Sequence, residues 1–111
     1  MTANKAIEIV DGVRPNAYTD EQKFSWINKL DGMVQRLVMQ SDNVVVYEYP
    51  ADMDRELLVP HPFDDVYTLY LEAMIDYHNR EFANYNNSAA MFESQFTEYK
   101  KAYIREHRAK G

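Results

Sequence analysis

The chain has no cysteine, only three glycines and a single tryptophan among its 111 residues. Without cysteine there is no disulfide framework, zinc-thiolate site, iron–sulfur cluster or cysteine nucleophile. So few glycines leave no phosphate-cradling loop, and no GxSxG elbow is present. No uninterrupted apolar run exceeds four residues. A transmembrane helix needs ~20 such residues and a signal-peptide core at least ~7. The first ten residues set Lys5 and Glu8 inside a helix-like pattern. The expectation is a soluble intracellular chain with neither span nor export signal. The apolar share of 46% and charged share of 27% argue against disorder. A chain of this length suits one domain, 1–111, and buries somewhat more than ~60% of its unfolded surface.

Charge is unevenly placed. The formal net charge is −6, yet residues 1–99 hold seventeen acidic and seven basic side chains, a net of −10. Residues 100–111 hold Lys100, Lys101, Arg105, Arg108 and Lys110 against Glu106, a net of +4. Duplex-DNA binders draw affinity from phosphate neutralisation, so this body repels DNA and only the tail attracts it.

Periodicity predicts an all-α fold: a small bundle of about four helices with a β-hairpin-like insert between the second and third. The first helix, about 3–13, places Ala3, Ala6, Ile7 and Val10 on one face, with Thr2 as N-cap. The second, about 20–40, starts at a Thr19–Gln22 capping box and carries the stripe Ile27, Leu30, Val34 and Leu37, widened by Phe24, Met33 and Val38. Gly32 within it reads either as a neutral loss on an exposed face or as a close helix approach. Residues 41–62 break the period. Val45, Tyr47 and Tyr49 alternate with Val44, Val46 and Glu48, and Leu57–Val59 reads as a second short strand across an acidic Pro50–Asp54 tip. A third helix, about 63–83, has an apolar face through Phe63, Tyr67, Tyr70, Ile75, His78 and Phe82. The run 84–88 (NYNNS) predicts a break before a fourth helix, about 88–107, with Phe92, Phe96, Tyr99 and Tyr103 on its stripe.

No catalytic constellation emerges, and the reading is of a non-enzyme with no cofactor and no metal. None of His61, His78 and His107 stands in HExxH spacing, and no glutamate precedes a histidine at i+3. His78 reads as a structural histidine on an apolar face. Glu72 and Asp76 stand at i, i+4, but one helix lacks the six or more oxygen ligands calcium prefers. Most aromatics fall on buried stripes. Tyr47, Tyr49 and Tyr85 lie in connections, where core and interface readings both stay open. The basic tail either complements the helix dipole or docks on an acidic partner.

Two blocks resemble a known family. Pro15-Asn16-x-Tyr18-Thr19-Asp20-Glu21-Gln22-Lys23, followed by Trp26, Asn28, Leu30 and Asp31-Gly32, is similar to the small head–tail connector (adaptor) proteins of tailed phages, above all prophage forms from Gram-positive bacteria. The second block runs through Glu56-Leu57-Leu58-Val59-Pro60, Pro62 to Tyr67, Tyr70 to Ala73, Ile75 to Tyr77, Glu81, Tyr85 to Ser88 and Met91-Phe92. Together they span about 5 to 107 and are packing and turn patterns rather than catalytic signatures. The resemblance implies a virion assembly protein of the neck, present in host cytoplasm during assembly. It implies a homo-oligomeric ring, usually twelve-fold, beneath the portal protein, extending the DNA channel and meeting a stopper or tail-completion protein. It further implies portal docking through the last helix, here Lys100, Lys101, Arg105 and Arg108. Contact with neighbouring subunits or the next ring falls to the insert, here Val45, Tyr47, Tyr49, Asp52, Asp54 and Glu56. DNA only passes through, and no membrane is involved.

Two other classes compete. A small helical nucleic-acid-binding or regulatory module is supported by the helix count and basic tail. A helical enzyme using Glu72, Asp76 and Glu81 ranks last.

Overall fold

A computed structural model describes residues 1–108; Ala109, Lys110 and Gly111, part of the basic tail, lie outside the described residues. Its first helix, α1 (Ala3–Val13), is the predicted one. The Thr2 hydroxyl accepts the Lys5 N–H at 3.1 Å, and Ala3, Ala6, Ile7 and Val10 are all buried.

Helix α2 (Asp20–Met33) begins at the predicted capping box: Thr19 Oγ1 accepts from Gln22 N at 3.1 Å, and Gln22 Oε1 accepts from Thr19 N at 3.0 Å. It continues into one π-helical turn, Val34–Val38. That turn changes the expected stripe. A π turn takes more residues per revolution, so every later side chain lags around the axis. Val38, expected at the margin of the stripe, is therefore buried, while Leu37, expected on its centre line, stands 63% exposed. A Cβ built on Gly32 would meet Val44 Cγ1 at 3.7 Å, an ordinary contact. Close approach does not require the glycine.

Helices α3 (Asp65–His78) and α4 (Phe82–Arg108) form a hairpin, and α3 packs against each of the other helices. The predicted break at 84–88 is corrected to Asn79–Glu81. Arg80 adopts φ 61°, Glu81 N donates to Asp76 O at 2.9 Å, and Arg80 N donates to Tyr77 O at 3.0 Å. These two bonds are a Schellman C-cap with arginine in the left-handed place. Asn84–Ser88 is helical despite its composition, because Ser88 Oγ donates to the buried Asp76 Oδ2 at 2.8 Å. The apolar face expected for the third helix also changes at its end: Phe82 starts α4 and is 54% exposed, and His78 is exposed.

The hairpin-like insert is likewise corrected: among the described residues there are four helices and no strand. Both intended strands find other partners. Tyr47 and Val45 pair with side chains of α2 and its π turn, whereas Leu57 N donates to Met1 O at 2.9 Å and Glu56 forms an isolated antiparallel bridge with Thr2. Residues 39–64 thus form a long, ordered, irregular segment lying over the helices. The core of Val10, Ile27, Leu30, Val34, Tyr67, Leu71 and Ile75 is fully buried. Among the described residues, no helix is long and apolar enough to cross a membrane.

Candidate assembly surface

The insert is fastened at a buried carboxylate. Asp31 is fully buried, and Oδ2 accepts from the Tyr47 hydroxyl at 2.7 Å and from Leu58 N at 3.2 Å. Its Oδ1 accepts from the Tyr67 hydroxyl at 2.5 Å, which in turn accepts from Val59 N at 2.8 Å. One carboxylate therefore ties both arms of the insert to α2 and α3. Burial raises the Asp31 pKa above the ordinary carboxylate value, against the pull of its three donors. Burial first, then the Asp31 charge, pushes the Tyr67 phenol up, and burial likewise raises Tyr47.

Two carboxamides hold the first arm lengthwise. Asn28 Oδ1 accepts from Tyr47 N at 3.0 Å while Asn28 Nδ2 donates to Tyr47 O at 2.9 Å. Gln35 repeats the pattern on Val45, accepting from its N at 2.8 Å and donating to its O at 3.0 Å. The helix thus presents two amides where a neighbouring strand would present its backbone. Beside this arm lies an open groove of about 720 Å³, lined by Trp26, Met33, Leu37 and Val44–Val46 with Lys29 and Arg36.

A second network closes the far end. Arg14 bonds the fully buried Asp76 through Nη1, and its Nη2 stands 3.4 Å from Glu72 Oε1. Of the carboxylates weighed for catalysis, Glu72 and Asp76 thus share one arginine, whereas Glu81 is exposed and accepts from Asn84 Nδ2 at 3.4 Å. At the α1–α2 corner, the buried Lys23 Nζ reaches Asp11 Oδ1 at 2.6 Å and Asn16 Oδ1 at 3.2 Å. His78 stacks on Trp26 with ring centroids 5.2 Å apart. Among the described residues no three His, Asp or Glu side chains converge as metal ligands.

The expected contact residues are dispersed. Val45 is 50% exposed and Tyr49 is 40% exposed, but Tyr47 is buried within its own chain. Asp52 Oδ2 accepts from Glu48 N, Asp54 from Asn4 Nδ2, and Glu56 lies 2.5 Å from the Met1 amino nitrogen. The tip's charges are thus largely engaged at home. At the other end, Lys101 pairs with Glu98 at 3.7 Å, Lys100 Nζ lies 5.4 Å from the Phe96 ring centroid, and Arg105 is exposed. Arg108 is the last helical residue, and its side chain lies outside the described part.

Sequence reasoning missed Asp31, Asn28, Gln35, Lys29 and Arg36 as builders of this surface. The available signal was polarity on a core-facing stripe: Asp31 adjoins Leu30, and Gln35 adjoins Val34. A charged or amide residue there must find buried partners. Comparison with protein-family models, curated proteins and solved structures finds no match.

Proposed function

We propose that this chain is a structural head–tail connector of a tailed phage or prophage. It assembles as a ring beneath the portal, extends the DNA channel and receives the stopper or tail. The observation that carries the reading is the order of the two sequence blocks, from Pro15 to Gly32 and from Glu56 to Phe92. Many residues of those blocks are the ones that join elements to each other: Asn16 and Lys23 at the α1–α2 corner, Thr19 and Gln22 at the cap of α2, Asp31 and Tyr67 beneath the insert, Asp76 and Ser88 between α3 and α4. A pattern made of junction residues supports a common architecture more strongly than matching composition does.

The charge layout supports the same role. An acidic body lining a channel repels DNA and lets it slide. The basic last turns of α4 offer a separate attachment surface of opposite sign. A ring closes through a heterologous interface, in which two different patches of each subunit meet.

Electron microscopy of lysates from a phage or induced prophage lacking this gene tests the proposal. Emptied or unstable heads beside free tails are expected; normal joined, infectious particles would overturn it. Changing Lys100, Lys101, Arg105 and Arg108 together to glutamate should weaken portal capture at least ~10-fold, with helical content retained. Unchanged capture would remove the tail from the mechanism.

A further inference from the structure

The arm at Val44–Tyr47 has one edge filled and one edge empty. In an extended chain, successive residues direct their N–H and C=O groups to opposite sides. Val45 and Tyr47 direct theirs at α2 and its π turn, where Gln35 and Asn28 satisfy both groups of each. Val44 and Val46 therefore direct theirs outward. Among the described residues, no hydrogen bond reaches the N–H or C=O of either. Both side chains are exposed, Val46 at 71%. Three consecutive β-branched residues favour strand pairing, and among the described residues there is no strand to pair with.

The groove beside that edge has a definite charge. Of the basic side chains in residues 1–99, Lys5, Arg14 and Lys23 are ion-paired and Arg55 sits over the Tyr47 ring. Lys29, Arg36 and Arg80 make no ion pair among the described residues, and the first two share the groove. Among the described residues no carboxylate lines it. An otherwise acidic chain thus places two cations without a carboxylate partner, Lys29 and an Arg36 whose Nη1 donates to the Ser41 and Asp42 carbonyls, beside an open strand edge and an apolar floor of Trp26, Met33 and Leu37.

We propose that the Val44–Val46 edge accepts an extended strand from a different protein, one that alternates apolar and acidic side chains. The backbone supplies the pairing, the apolar floor takes one set of side chains, and Lys29 with Arg36 selects the acidic set. This inference rests on the edge geometry and not on the connector reading: a non-phage protein with this edge would bind the same strand, and a connector without strand pairing would still join heads to tails.

The test uses the full chain and a short blocked peptide alternating valine and glutamate, read by amide hydrogen exchange. Peptide at millimolar concentration should slow exchange at Val44 and Val46 at least ~10-fold, whereas a valine–lysine peptide should not. Val46→Pro deletes a donor that has no hydrogen-bond partner among the described residues, so it should abolish the protection read at Val44. Lys29→Glu, a surface change, should weaken the acidic peptide about fivefold and keep the falsification open if the proline variant does not fold. No slowing with the acidic peptide, or equal slowing with both peptides, would overturn the proposal. Protection that rises with protein concentration alone would also overturn it, by making a second copy the occupant.

Discussion

Asp31 and Tyr67 show how single side chains decide the shape of this molecule. Tyr67→Phe would leave Asp31 short of a donor and the Val59 N–H without an acceptor. The expected loss is about 2–4 kcal/mol in urea denaturation, since each orphaned buried partner adds its desolvation cost. Asp31 also gives a pH signature. Its folded pKa is raised above the unfolded value of 3.8, so the folded chain holds this proton more tightly than the unfolded chain. The resulting stabilisation is complete below the unfolded value and is lost as pH rises through the folded one. Compared with Asp31→Asn, which does not titrate, the natural chain should lose stability as pH climbs from the unfolded value of 3.8 through the raised folded one. Urea midpoints of both proteins across that range check this, and a constant gap would contradict it.

Helix ends and helix interiors each carry a cost that substitution can remove. Arg80 occupies the left-handed C-cap of α3 at φ 61°. A left-handed residue with a Cβ costs about 1–2 kcal/mol, and glycine returns about 0.4–1 kcal/mol of that to the unfolded chain. Arg80→Gly should therefore stabilise the protein by about 0.5–1 kcal/mol. Gly32→Ala should add a similar amount, about 1 kcal/mol, from helix propensity, because Val44 Cγ1 stands at ordinary contact distance from the new methyl. Thermal melting followed by circular dichroism reads both, and a fall in either melting temperature would show a packing conflict. The starts of α1 and α2 were legible from Thr2, Thr19 and Gln22, because a cap acts within one turn of chain. The break between α3 and α4 was not. Asn84–Ser88 reads as a turn by composition, and the partner that ties Ser88 to the bundle, Asp76, lies on another helix.

Across the whole molecule, buried phenols link folding to alkaline pH. Tyr99 is pushed up to about 12 by burial, and Tyr47, Tyr67 and Tyr70 are raised as well. Their contribution to stability is complete below the unfolded value of 10.0 and is lost as pH rises through the folded values. The phenols should leave the melting temperature unchanged up to about pH 10 and lower it steeply above, with a late fraction of tyrosinate absorbance appearing only as helix is lost. All nine tyrosines ionising together before any loss of helix would contradict the buried network. The candidate surface was partly legible at this scale. The valine run and the acidic insert singled out this segment, but the insert's own acids turned out to be bonded within the chain, and the cations beside the groove went unnoticed.

What the sequence by itself determined is local or additive: the helical class, the caps, the buried face of α1, and the separation of an acidic body from a basic end. Each follows from residues within a turn or two of each other, or from a sum of charges. The conformation of residues 39–64 was decided only in three dimensions. Its valine-rich arm has strand propensity, but Asn28 and Tyr47 are 19 positions apart, and Met1 and Glu56 are 55 apart. Propensity cannot foresee such distant partners. The backbone of Val45 and Tyr47 took the nearest groups that could satisfy both donor and acceptor, and these were two side-chain amides on a helix. A buried carboxylate then fixed the arm in place, leaving its outer edge open.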